Sequence, residues 1–129
     1  MSQHLHAIAI LVPDYDAGIA FYVGKAGFDL LEDTDMGGGK RWVLVRPPGG
    51  ETALLLARAV GEQARGIGDQ FAGRVGLFLH TDDFAGDHAR MRAAGITFEE
   101  EPRHEPYGTV AVWRDPWGTR WDLLQLARP

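Results

Sequence analysis

Asp122 lies two residues after Arg120 in the run Arg120-Trp-Asp-Leu-Leu-Gln125. Alternation along a strand puts Arg120, Asp122 and Leu124 on one face and Trp121, Leu123 and Gln125 on the other. A carboxylate beside a core, with an arginine on its own face, is either half of a buried ion pair or part of a site that binds a ligand or moves a proton. His80 is a candidate base or a hydrogen-bonded structural histidine. It follows an apolar run and precedes Thr81-Asp82-Asp83, three residues suited to capping a helix. The stretch 99–108 gathers Arg103, His104, Glu105 and Tyr107 around Pro102 and Pro106. A charge run of this kind is commonly a solvated face.

Several chemistries are excluded at once. The chain has no Cys, so disulfides, thiolate catalysis and Cys-based metal centres are absent. Its only serine, Ser2, stands next to the N-terminal Met, so no nucleophile elbow is present. Gly37-Gly38-Gly39 lacks the following Lys-Ser/Thr of a phosphate loop. A net charge of −5 with no basic stripe argues against nucleic acid as a partner. No apolar run approaches the ~18 residues needed to cross a bilayer, and the N-terminus does not resemble a secretory signal. A cytoplasmic location without a membrane partner is the expectation.

The elements that must position these residues form a repeated series. A near-continuous apolar run, Leu5 to Val12, reads as a strand covered on both faces and ends at Pro13. A helix over 14–25 follows, capped by Asp14 or Asp16 and stopped by Gly27. Strands are expected at 28–32, 41–45 and 52–57, with turns at 36–39 and 47–50. Residues 59–71 carry no clear period and read as a linker with a short helical turn. The series then recurs: a strand at 74–80, a helix at 83–94 stopped by Gly95, a strand at 96–99, a polar loop at 100–108, and two strands joined by the turn Asp115-Pro-Trp-Gly118. A shift of 68 residues aligns Asp14 with Asp82, Ala17-Gly18 with Ala85-Gly86 and Ala26-Gly27 with Ala94-Gly95, which points to an internal duplication. The 129 residues thus read as a single α+β domain of two βαβββ modules. Module one spans about 4–58, the linker about 59–72 and module two about 73–127.

His6-Ala-Ile-Ala-Ile-Leu-Val-Pro-Asp14, with Phe21-Tyr22 and Ala26-Gly27-Phe28, is similar to the opening of the vicinal oxygen chelate superfamily. That group includes glyoxalase I, bleomycin-resistance proteins and extradiol dioxygenases. Asp115-Pro-Trp-Gly-Thr-Arg-Trp-Asp122 resembles its closing Asp-Pro-x-Gly-x-x-x-Glu. The resemblance implies two incomplete-barrel sheets around a U-shaped cavity, a homodimer, and a small organic ligand. It also implies one metal ligand on the first and last strand of each module. Those positions fall on His6, Leu55, Arg74 and Asp122.

Only His6 and Asp122 can donate to a metal. Leu55 has no donor, and the Arg74 guanidinium has no lone pair and would repel a cation. The expected state is therefore no cofactor, with a divalent metal on His6 and Asp122, aided by His4 or His80, as the alternative. Arg74 and Asp122 are instead expected to pair, either as a structural ion pair or with the Arg donors turned to a ligand.

The cavity is expected to be lined by Trp42, Leu55, Arg74, Phe78, His80 and Arg120, with Arg103 and Tyr107 on a substrate-contacting loop at its rim. His6, Asp122 and Glu105 are the candidate catalytic groups. Two classes of function stay open. One is an enzyme, a lyase, isomerase or dioxygenase-type catalyst. The other is a binding protein that sequesters a drug or metabolite.

Overall fold

The computed structural model of the chain describes residues 1–128. The chain divides into two compact units, Met1–Ile67 and Gly68–Pro129.

In the first unit the apolar run becomes strand β1 (Ala7–Val12), with Ile10 and Val12 fully buried. Pro13 ends it, and the Asp14 side chain accepts from the Ala17 N–H at 2.7 Å to start helix α1 (Tyr15–Tyr22). The carboxylate satisfies one of the helix's orphan donors. Gly18 lets α1 approach the sheet. A Cβ there would stand 3.1 Å from Leu56 Cδ1 and 3.2 Å from Val12 Cγ1. The helix ends at Tyr22 with Val23 as its C-cap, short of the expected 25, and Gly27, at φ 84°, redirects the chain after the turn that follows.

Strands β2 (Asp29–Gly37), β3 (Lys40–Arg46) and β4 (Ala53–Arg58) follow. They form a sheet of order β1-β4-β3-β2, with β1 and β4 parallel and the other pairs antiparallel. β2 runs on to Gly37, well past the expected end at Glu32. Residues 33–37 look turn-like in composition, but pairing with β3 draws them into the ladder, with Thr34 opposite Trp42 and Asp35 opposite Arg41. Gly61–Gly66 forms a 3₁₀ turn in the expected linker.

The second unit repeats the plan. Strand β5 (Leu77–His80) is shorter than the expected 74–80, because Phe71–Arg74 is a turn closed by the Arg74 N–H on the Phe71 carbonyl. Asp83 caps helix α2 (Phe84–Ala93) through the Gly86 N–H, and Gln125 Oε1 accepts from the Phe84 N–H at 2.8 Å. Strands β6 (Thr97–Phe98), β7 (Arg103–Glu105), β8 (Gly108–Arg114) and β9 (Arg120–Leu126) complete the unit. The sheet order is β5-β9-β8-β6, with β7 also pairing β8. The stretch expected as a loop at 100–108 thus contains a strand. Arg103 lies opposite Val110 and Glu105 opposite Gly108.

The β8–β9 turn is held by one side chain. Asp115 Oδ1 accepts from the backbone N–H groups of Trp117, Gly118 and Thr119 at 2.9–3.0 Å. Trp113 and Trp121 stack beneath the sheet with ring centroids 4.8 Å apart. The architecture is α+β with two open sheets of four and five strands.

Candidate functional site

In each unit one sheet face packs on the helix and the other does not. In the first unit the buried face carries Val12 and Leu56 against Gly18. Ala9 and Leu44 both pair with Leu55, and residues directly opposite one another share a face. Alternation therefore places Trp42, Leu44, Leu55, Ala57 and Leu11 on the face away from α1.

The ladders of this sheet differ in length. β1–β4 and β2–β3 are paired along nearly their whole lengths. β3–β4 is paired only at Leu44–Leu55 and Val45–Leu54. Beyond those pairs, β3 towards Lys40 and β4 towards Arg58 run without a ladder between them. A cleft of about 340 Å³ opens there. Its walls include Trp42, Leu55 and Ala57 from the face away from α1 and Tyr15, Leu56 and Arg58 from the helix side, closed by Val60 and Gln63 of the 3₁₀ turn. Residues of both faces meet in one cleft because it lies where the two strands part.

The mouth of this cleft is cationic. Arg41 is engaged: it donates to Asp33 at 2.7 and 3.0 Å and to Asp16 at 2.9 Å. The Arg41 bond holds the Asp33 carboxyl below its ordinary range, and the two carboxylates raise Arg41 further still. Arg41 and Arg58 stand 5.3 and 5.6 Å from the centre of the Tyr15 ring. Among the described residues, neither Lys40 nor Arg58 has a carboxylate within ion-pair distance.

In the second unit, register sets out the open face in rows. Phe78, Asp122 and Val112 lie side by side across β5, β9 and β8. The next row holds His80, Leu124, Val110 and Arg103. Arg120 and Arg114 flank on one side and Glu105 on the other. The sheet thus brings Phe78, His80, Arg103, Glu105, Arg120 and Asp122 onto one face, and Phe78 is 58% exposed. Tyr107 lies exposed between β7 and β8.

Asp122 Oδ1 is buried and accepts no hydrogen bond. Both nearby arginines are taken. Arg120 holds Glu99 through two bonds of 2.9 and 3.0 Å and the Gly73 carbonyl at 2.9 Å. Arg103 holds Glu100 at 2.8 Å. Burial pushes the Asp122 carboxyl above its ordinary value, Arg103 and Arg120 draw it back, and Glu100 adds to the rise.

The expected pair of Arg74 with Asp122 is not formed. Arg74 is exposed, precedes β5, and is absent from the charges that act on Asp122. The turn at 71–74 takes it out of the strand before alternation can aim it. His6 also lies outside its strand and is exposed. The β1 partner of Leu55 is Ala9, three residues on from His6, or about 10 Å along a strand.

The metal positions implied by the resemblance therefore hold an exposed imidazole, an aliphatic chain, an exposed guanidinium and one partly buried carboxylate. No three His, Asp or Glu side chains among the described residues are grouped to hold an ion. This donor set does not fit a divalent centre, which wants three or four anionic or imidazole ligands.

Comparison with known proteins agrees with this architecture. The family model for the Glyoxalase/Bleomycin resistance protein/Dioxygenase superfamily matches residues 4–123. An uncharacterized protein of Shewanella frigidimarina is 54% identical over 129 residues, spanning 98% of this chain and 96% of its own. The crystal structure of TnmS3, an antibiotic binding protein from Streptomyces sp. CB03234, is 32% identical with a TM-score of 0.81 and covers 98% of both chains. A glyoxalase/bleomycin resistance protein from the same Streptomyces is 32% identical with a TM-score of 0.74, covering 95% of this chain and 100% of that one.

Proposed function

We propose that the chain, which belongs to the Glyoxalase/Bleomycin resistance protein/Dioxygenase superfamily, binds and sequesters a small organic molecule such as a drug or metabolite without a four-ligand metal centre. The observation that carries this reading is the cleft of about 340 Å³ walled by Trp42 and Leu55. Its size is that of a small-molecule site, and its apolar walls with a few charged groups at the mouth have the usual composition of one. The antibiotic-binding role of TnmS3 supports the same reading. Two chains associate as a homodimer, a reading supported by the exposed Leu30, Leu31 and Met36 along β2, the edge strand of the first sheet.

A second reading is favoured by Asp122 alone. A carboxyl pushed towards its neutral form, with an oxygen free of hydrogen bonds, has the properties of a proton donor or acceptor in a metal-free lyase or isomerase. Calorimetric titration with a panel of polycyclic aromatic antibiotics, followed by mass spectrometry of the recovered compound, separates the two. Sequestration requires one-site binding, unchanged compound, and a loss of about tenfold or more in affinity in Trp42→Ala, the scale of losing one large apolar contact. Chemically altered compound, with turnover abolished in Asp122→Asn, would replace sequestration by catalysis. No saturable binding across the panel would remove the first reading.

A further inference from the structure

We infer that the cleft between β3 and β4 selects an amphipathic anion: a flat apolar or aromatic body carrying a carboxylate, sulfonate, phenolate or similar group. The inference rests on the small-molecule reading above and adds the charge of the ligand.

Three observations carry it. The first is the source of the cleft. With only two β3–β4 pairs, the part of the sheet from Lys40 to Val43 and from Leu56 to Arg58 has no ladder across it. The cleft opens there, with side chains of both sheet faces in its walls.

The second is the distribution of charge. Lys40, Arg41 and Arg58 line the cleft and no carboxylate does. The chain as a whole carries −5, so three cations without a lining acid run against its overall balance. Asp16 and Asp33 both pair with Arg41 and lie outside the lining of the cleft. Asp35, on the adjoining hairpin, accepts the Gly37 N–H. Among the described residues Lys40 and Arg58 pair with no carboxylate, and they line the cleft with no acid beside them.

The third is the positioning of Arg58. Its guanidinium lies over the Tyr15 ring and close to Gly39. A Cβ at Gly39 would come within 3.7 Å of both terminal nitrogens, so the hairpin tip forms one wall beside the guanidinium. The ring and the hairpin tip restrict the guanidinium while its N–H donors stay available. That reduces the ordering cost of receiving an oxyanion. An oxyanion bound there gains charge-assisted hydrogen bonds from Arg58 and Lys40, while the apolar body contacts Trp42 and Leu55.

The test uses two fluorescent probes that share an aromatic skeleton and differ in one charge, anilinonaphthalene sulfonate and neutral N-phenylnaphthylamine, each titrated against the intact chain at low salt. The anion is expected to bind about tenfold or more tighter than the neutral probe, the scale of one charge-assisted contact. That preference should shrink as salt is added. Arg58→Gln and, separately, Lys40→Gln should each narrow the preference by weakening the anion more than the neutral probe. Trp42→Ala should weaken both probes together. Both side chains are exposed, so the two Gln variants are checks on one another if either disturbs folding. Equal affinity for the two probes, or a preference untouched in both Gln variants, overturns the anion inference while small-molecule binding stands. Failure of both probes to bind overturns the cleft as a ligand site.

Discussion

Asp122 keeps a buried oxygen without a donor although Arg103 and Arg120 stand nearby, because each arginine is already spent on Glu100 or Glu99. The consequence is a pH-dependent cost. Burial raises the folded-state value above the unfolded one near 3.8, so ionising Asp122 is harder in the folded chain. Below the unfolded value both states are protonated and there is no penalty. As pH rises through the folded value the penalty becomes complete. Asp122→Asn should therefore raise the urea midpoint at about pH 7.5. The gain should be under about 1 kcal/mol after solvent screening of a partly exposed group, and it should narrow towards about pH 4. An equal gain at every pH would mean that the carboxyl is not the cause. Arg74→Leu should leave the midpoint within about 0.5 kcal/mol, as for an exposed side chain with no partner. A large loss would restore the Arg74–Asp122 pair. Alternation in the sequence is sufficient to put Arg120 and Asp122 on one face. It contains no information on which carboxylates already occupy the arginines, since Glu99 is 21 residues from Arg120.

At the scale of elements, the turns and caps were the most legible features. Asp14 caps the first helix as expected, although that helix ends at Tyr22 rather than at 25, and Asp83 and Gly95 bound the second. Asp115 shows how much one turn residue can hold. It is almost fully buried and satisfies three backbone donors. Asp115→Ala should cost roughly 2–4 kcal/mol, because it leaves those N–H groups without their charged acceptor. Chemical denaturation measures it, and a loss below about 0.5 kcal/mol would show that water replaces the carboxylate. Strand ends were less legible. β2 extends over Asp33–Gly37, and Arg103–Glu105 becomes a strand, because a neighbouring strand supplies hydrogen-bond partners that the local residue types do not advertise.

For the whole molecule, ligand binding and association are linked to stability. A compound that binds only the folded chain should raise stability by about 2.7 kcal/mol at a hundred times its Kd. Thermal unfolding should rise by several degrees with the antibiotic panel, and the rise should be smaller in Trp42→Ala. Unchanged unfolding at saturating compound would argue against specific binding. The proposed homodimer predicts twice the 14.2 kDa chain mass in sedimentation at micromolar concentration. A single-chain mass would refute it.

The α+β class, most of the element order and the Asp14 and Asp83 caps could be inferred from residue types, because alternation, capping and turn chemistry act within a few positions of the chain, and the family from the resemblance of the opening and closing motifs. The partner of Asp122 and the cleft beside Trp42 could not. The first depends on which charges pair across the second sheet. The second depends on a β3–β4 ladder of only two pairs, and how far two strands stay hydrogen-bonded is set by the packing of every element around them.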